Sequence, residues 1–454
     1  MRLYSSTDSY TLYHGNMLDM DEVIAPNSID SIVTDPPYEL NFMNKGWDNS
    51  GIAFQKETWS KCYNALKPGG HLLAFGGSRT FHRIACAIED AGFEIRDTIM
   101  WLYGSGFPKS MNIGLSVDKE NGTESKVVGS RKDHDIRNNN YANNDVSTKT
   151  FVREIKEAQN EWKGWGTALK PSYEPIIVAR KPVENSVTKN VLKWGVGGIN
   201  IDECRVGNET ISIHNAPKGT FAGGEYGRGS DTESYRESTG RFPANTILTY
   251  DETDFEEVCG GFPNTKDYGG STKTTANNNI QFQSSRETYI TRYKESGSAS
   301  RYFYCAKASK KDRDEGLEEF AEKNGVDITG RKENTNGLTW DGGKYAYGNA
   351  FAGAGSPKKN THPTVKPTEL MQYLVRLVSP NGATILDCFN GSGSTGKAVM
   401  YENREHHKNY KYIGIELTEE YLPISKARIE YVINLPEERD NQMTIFDFIG
   451  EENE

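Results

Sequence analysis

An acid, two prolines and an aromatic ring, Asp35-Pro36-Pro37-Tyr38, close the apolar run Ile32-Val33 near the start of the chain. Proline lacks a backbone N–H and cannot extend a central strand, so the strand ends at Asp35. The Asp35 carboxylate and the Pro36 carbonyl then form an acceptor pair with few competing donors, beside the flat face of Tyr38. Such a set suits a planar ligand that carries an amino group. Taken alone, the tetrapeptide fits a plain Pro-Pro turn with an Asp and a Tyr nearby better than it fits a binding site.

A second constellation lies near the other end. In "ILDCFNGSGSTGKAV" the glycines Gly391, Gly393 and Gly396 follow a strand-like run and open a helical one, the context that brings backbone close to a nucleotide. Three ligands compete for it. A P-loop would need a hydroxyl after Lys397, where Ala398 stands. A dinucleotide fingerprint normally opens its domain rather than closing it. S-adenosylmethionine would place its ammonium on Asp387 at the strand tip and its methionine arm over Gly391 and Gly393. Glu416 then ends the next strand, where an acid bonds ribose hydroxyls. Only the third reading also gives the first constellation a task.

These residues need a sheet to hold them. "DSIVTD", "HLLAFGG" and "FEIRDTIMWLYG" read as strands, and "FQKETWSKCYNALK" and "RTFHRIACAIEDAG" as helices, the first stopped at Pro68-Gly69-Gly70. From Thr361 the alternation resumes with helix "PTELMQYLVRLV", strand "ATILDCF", helix "TGKAVMYENR" and strand "KYIGIEL". This is βαβ grammar, predicting an α/β fold with a mostly parallel sheet written in two halves. Residues 1–183 form the first half, with a polar, mobile insert at about 119–150 ahead of the strand "YEPIIVARKP". Residues 184–360 form a Gly-, Ser-, Thr- and Asn-rich middle, 361–435 the second half and 436–454 a tail.

Composition narrows the class. Net charge is −10, which excludes indiscriminate coating of nucleic acid and leaves a local basic strip as the route to DNA. No run is long and apolar enough for a membrane span, and the six cysteines are scattered without metal-ligand spacing. A cytoplasmic protein without a metal is expected.

The sequence resembles a β-class DNA amino-methyltransferase of the phage or prophage kind. Asp35-Pro36-Pro37-Tyr38 matches the catalytic motif; "THPTVKP" (Thr361 to Pro367) and "LDCFNGSGSTG" match the cofactor motifs in that class's order. The resemblance covers about the first hundred residues and Thr361 to about Arg428. It implies a Rossmann-like fold with a circularly permuted seven-stranded sheet and a large irregular insert, 184–360, that recognises the target. It further implies transfer of a methyl group from S-adenosylmethionine to the amino nitrogen of an adenine flipped out of double-stranded DNA, with cytosine as the alternative base. A restriction-modification setting and a homodimer are compatible with it. Thr364, Lys366 and Phe389 are implied at the cofactor, Lys366 at its methionine carboxylate. Asn16 stands where relatives carry an Asp near the cofactor adenine, and Cys388 where they carry Pro.

Two further stretches invite assignment. "RYFYCAKASKKDR" gathers Arg301, Lys307, Lys310, Lys311 and Arg313 among aromatics, which suits phosphate contacts and equally a solvated helix face. In the tail, Gln442-Met443-Thr444-Ile445-Phe446 resembles the pentapeptide by which bacterial proteins bind the replication sliding clamp. Gln442, Met443, Ile445 and Phe446 are the expected anchors, with packing of the apolar residues back on the domain as a short edge element the equal alternative.

Overall fold

The computed structural model describes residues 1–40, 50–103, 110–135, 149–215, 234–250, 264–265, 297–298, 304–307, 310–323 and 359–436. Ten strands build one sheet: β1 (Arg2–Ser6), β2 (Tyr10–His14), β3 (Ile29–Thr34), β4 (Leu66–Phe75), β5 (Glu94–Tyr103), β6 (Tyr173–Arg180), β7 (Thr246–Tyr250), β8 (Tyr304–Lys307), β9 (Thr384–Asp387) and β10 (Lys411–Glu416). Their order is β1-β2-β10-β9-β3-β4-β6-β5-β7-β8. From β2 to β4 all neighbours are parallel. β6 then runs antiparallel between β4 and β5, and β7 and β8 continue parallel to β5. The seven strands from β2 through β5 are the expected sheet, and β1, β7 and β8 widen it at its edges.

The two halves of the sequence meet where β9 pairs with β3, Ile385 opposite Ser31 and Leu386 opposite Ile32. Wholly buried strands such as β3 need cover on both faces. One face receives α1 (Lys56–Ala65) and α2 (Phe81–Asp90) through Trp59, Cys62, Ile84 and Ile88. The other is packed by the C-terminal helices, which contribute Leu370, Leu374, Val399 and Ile429. Pro68-Gly69-Gly70 does not end the secondary structure; it sits inside β4 as a bulge, where the register jumps from Leu66 to His71. A bulge accommodates a proline that a regular ladder would not. Asn190 of α4 (Val187–Trp194; α3 is Ile113–Glu120) pins it by donating to the Pro68 carbonyl at 2.8 Å.

Where the sequence read as a structureless polar insert, strand 126–135 pairs with strand 149–157 as an antiparallel hairpin. The middle region is not a separate body among its described residues. It adds β7 and β8 to the sheet and packs α4 against β4, and Cys204 is buried in the shared core. A short helix, α5 (Lys310–Asp314), precedes the second half, α6 (Thr368–Val378), α7 (Ser394–Glu405) and α8 (Leu422–Ile433). Among the described residues, no helix is long and apolar enough to cross a membrane, and no cluster of side chains could hold a metal ion.

Candidate active site

Asp35, Asp387 and Glu416 stand at or just beyond the carboxyl ends of three neighbouring strands, β3, β9 and β10. A cleft of about 1480 Å³ opens over these ends and is lined by all three acids together with Tyr38, Glu174 and Lys366. Sheets of this kind bind ligands at such a place because the chain order reverses there and the crossing loops part.

On the β3 side, Asp35 Oδ2 accepts from Lys366 Nζ at 2.5 Å, while Asp35 Oδ1 is buried without a hydrogen-bond partner. Lys366 also lies 3.5 Å from Glu174, and its ammonium sits 4.9 Å from the Phe75 ring centre. Burial alone would depress this ammonium, but the Asp35 and Glu174 carboxylates outweigh it and hold its pKa above the ordinary value. Tyr38 donates its hydroxyl to Glu174 Oε2 at 2.6 Å, and Thr80 donates to the Tyr38 carbonyl at 2.8 Å. Burial, reinforced by the Asp35 and Glu174 carboxylates, pushes the Tyr38 phenol well up, so it stays a neutral donor with its ring fixed.

Lys366 was expected at the cofactor's methionine carboxylate. In this structure it lines the cleft and pairs with Asp35, because the segment before α6 passes over the end of β3 and a buried ammonium needs a carboxylate beside it. Glu174, which orients both Tyr38 and Lys366, escaped the sequence reading. Its only signal was an acid at the mouth of a strand that is otherwise buried from Pro175 to Arg180.

On the β9 side, Asp387 is buried and accepts from Thr34 Oγ1 and Thr395 Oγ1, both at 2.6 Å, and from the Phe389 N–H at 3.1 Å. Glu416 accepts from the Gly391 and Thr418 N–H groups, each at 2.7 Å. Gly391 has φ +51°, and a β-carbon there would come within 2.9 Å of His362 Nε2. Gly393 has φ +74° and passes so close to Ser425 that a β-carbon would lie 2.5 Å from its Oγ. Arg428, fully buried, props the turn by donating to the Ser392 carbonyl at 2.9 Å. Asn16 accepts from the Leu18 N–H at 3.0 Å, so its oxygen caps a short helix and its amide donors remain for the cleft that it lines. Thr364 and Phe389 line the same cleft.

Lys397 is not a phosphate-binding lysine. It is buried against Asp312 and Glu315, 2.7 Å from each. Of the basic strip, Lys307 ends β8, and Lys310 and Lys311 open α5 with Lys311 exposed. Arg313 turns inward instead and donates to the His362 carbonyl at 2.6 Å, because Asp312 beside it is drawn under the start of α6, where it accepts the Thr368 N–H at 2.8 Å. Arg301, Gln442, Met443, Ile445 and Phe446 lie outside the described residues.

The donor set fits a nucleoside that bears an ammonium. Two buried acids face the cleft, and the turn at Gly391, which packs too closely on His362 to admit a β-carbon, lines it with backbone. Burial pushes the Asp387 carboxyl up to about 6 and that of Glu416 up to about 7. In each case the folded value lies above the unfolded one, so ionisation costs the fold stability as pH rises through that window. Ligand binding runs the other way, since an ammonium favours the carboxylate. Affinity for S-adenosylmethionine should be flat near pH 8 and fall as pH drops through about 6, by up to about tenfold per unit. Calorimetry from pH 8 to pH 5 checks this, and a constant affinity would move the ammonium off Asp387.

The family model described as DNA methylase, for N6 and N4 enzymes, matches residues 29–427. The type II methyltransferase M2.LlaDCHI of Lactococcus lactis subsp. cremoris is 24% identical over 241 residues, 46% of this chain and 86% of the relative. The type II methyltransferase M.BglI of Bacillus subtilis is 37% identical over 73 residues, 16% of this chain and 19% of the relative. Among solved structures, the PvuII DNA methyltransferase (cytosine-N4-specific) aligns at 13% identity over 98% of this chain and 91% of its own, with a TM-score of 0.38. With the acids, the glycine turn and the strand ends in place, this chain belongs to the N6/N4 family of S-adenosylmethionine-dependent DNA methyltransferases.

Proposed function

We propose that the protein methylates the exocyclic amino nitrogen of an adenine rotated out of duplex DNA. The observation that carries this reading is the buried Asp35 Oδ1, an acceptor with no donor, beside the Pro36 carbonyl and the fixed ring of Tyr38. The amino nitrogen of a base is a poor nucleophile because its lone pair is delocalised into the ring. Hydrogen bonds from its two protons to Asp35 and Pro36 favour the pyramidal form, in which the lone pair points outward. Tyr38 stacks on the base, which must leave the helix because its amino group is otherwise paired. S-adenosylmethionine supplies a methyl group already activated on a sulfonium, so the protein's contribution is alignment. As the methyl moves to nitrogen the sulfur keeps the bonding pair and leaves as a thioether, and the nitrogen then sheds one proton to Asp35 or through it to water, while Lys366, 2.5 Å from Asp35, holds that carboxylate in position.

Glu174→Gln removes the charged acceptor from Tyr38 and one counter-charge from Lys366. Single-turnover methylation should slow by about tenfold, in line with the loss of a hydrogen bond to a charged group. Cofactor affinity should be unchanged, and a shift in that affinity instead of the rate would detach Glu174 from base positioning.

Cytosine offers the same amino geometry and is the second reading; the acid at position 35, where cytosine enzymes more often carry serine, supports adenine. Incubation with plasmid DNA and tritiated S-adenosylmethionine, followed by nucleoside analysis, separates them. N6-methyladenine is expected, N4-methylcytosine would establish the second reading, and an unlabelled plasmid would sink both.

A further inference from the structure

Leu169 is 92% exposed, yet it lines the catalytic cleft and belongs to a loop tied down on both sides. Before it, the Thr167 N–H donates to Ser110 Oγ at 2.9 Å, the Met111 N–H donates to Thr167 Oγ1 at 2.9 Å, and the Trp165 carbonyl accepts from Ile113 at 3.0 Å. Gly166 packs so tightly there that a β-carbon would lie 2.3 Å from Ser110 Oγ. After it, the Ser172 carbonyl accepts from the Tyr103 N–H at 2.9 Å, and Glu174 begins the network that holds Tyr38. A single exposed leucine is ordinary on a protein surface. One held out by an anchored backbone at the mouth of a DNA-modifying cleft is not explained by packing.

We infer that Leu169 is the wedge that enters the base stack where the target nucleotide has left it. This rests on the base-flipping reading above and adds the residue that makes flipping affordable. Rotating a base out leaves a gap whose neighbours lose stacking, and the open state closes again unless something fills it. An apolar side chain inserted between base steps restores contact and blocks re-entry, as wedge residues do in other DNA-bending proteins. Leucine has the apolar volume, and the ordered loop has little conformational freedom left to lose on insertion. Exposed Lys170 follows directly, and Arg79 lines the same cleft, giving local positive charge for the flanking phosphates on an otherwise acidic chain.

The test uses full-length protein and two duplexes carrying the motif that it modifies on plasmid DNA, one fully paired and one with an abasic site opposite the target base. The second duplex makes extrusion cheap, so it should not need a wedge. Leu169→Ala should slow single-turnover methylation of the paired duplex on the order of tenfold or more. On the abasic duplex it should remain within about threefold of the parent protein, and Leu169→Phe should restore most of the rate on paired DNA. Calorimetry with S-adenosylmethionine should give the same affinity for all three proteins. Equal slowing on both duplexes, or no slowing on the paired one, would overturn the wedge. A parent protein that methylates neither duplex would instead overturn the activity on which the inference stands.

Discussion

Replacing Asp35 with alanine is expected to lower single-turnover methyl transfer on the order of 10²–10⁴-fold, the range that a positioned proton acceptor contributes. S-adenosylmethionine should bind nearly as before. The separation follows from the geometry: Asp387 draws its hydrogen bonds from Thr34, Thr395 and the Phe389 N–H, none of which depends on Asp35. Alanine also strands Lys366, whose remaining carboxylate, Glu174, lies 3.5 Å away. A buried ammonium that loses its closest partner destabilises a protein by roughly 3–5 kcal/mol, so thermal unfolding must be followed beside activity. Asp35→Asn removes the charge with almost no change of shape and retains one acceptor oxygen. If the asparagine variant keeps more than about a tenth of the rate, hydrogen-bond acceptance outweighs charge. Appreciable turnover in the alanine variant would remove Asp35 from the chemistry altogether.

Asp387→Ala should weaken S-adenosylmethionine binding by roughly 1.5–3 kcal/mol, about ten- to 150-fold in Kd, the worth of a hydrogen bond to a charged group. The same change takes the closest acceptor from the buried Thr34 and Thr395 hydroxyls, leaving them the longer contacts to Cys388 Sγ at 3.8 Å and the Val33 carbonyl at 3.4 Å, so the fold should lose roughly 1 kcal/mol or more as well. Affinity in the variant should also lose the part of its pH dependence centred near 6, which identifies Asp387 as its source. Isothermal titration of both proteins at pH 8 and pH 5 reads all of this. A variant that binds as tightly as the parent at pH 8 would place the ammonium on another group.

Much of the catalytic frame was legible because it is local. A strand halted by Pro36-Pro37, a glycine turn between β9 and α7, and acids at strand ends are all short-range patterns, and each stands where its sequence put it. The link between Tyr38, Glu174, Lys366 and Asp35 was not legible. It joins three segments far apart in the chain, and it forms only because β6 inserts antiparallel between β4 and β5. Charge counting failed at α5 for a similar reason: Lys311 faces solvent while Asp312 and Arg313 turn inward, which composition alone cannot distinguish. The paired strands 126–135 and 149–157 gave no periodic signal because Val127 and Val128 on the first strand are exposed, so no buried face imposes alternation.

The inward face of α5 sets a limit on how this protein can exchange parts. Asp312 accepts the Thr368 N–H at the start of α6 and pairs with Lys397 of α7; it also lies 3.8 Å from Arg428, which props the glycine turn. A foreign segment grafted in place of 184–360 would replace Asp312 and Glu315 along with everything else, leaving Lys397 and Arg428 as fully buried cations without their anions. A graft that spares these buried charges must therefore end ahead of Lys310, and it must also spare Asn190, which donates to the Pro68 carbonyl, and the strands β7 and β8, which extend the sheet beside β5. The stretch that can be exchanged without disturbing the sheet or the glycine turn is therefore shorter than 184–360.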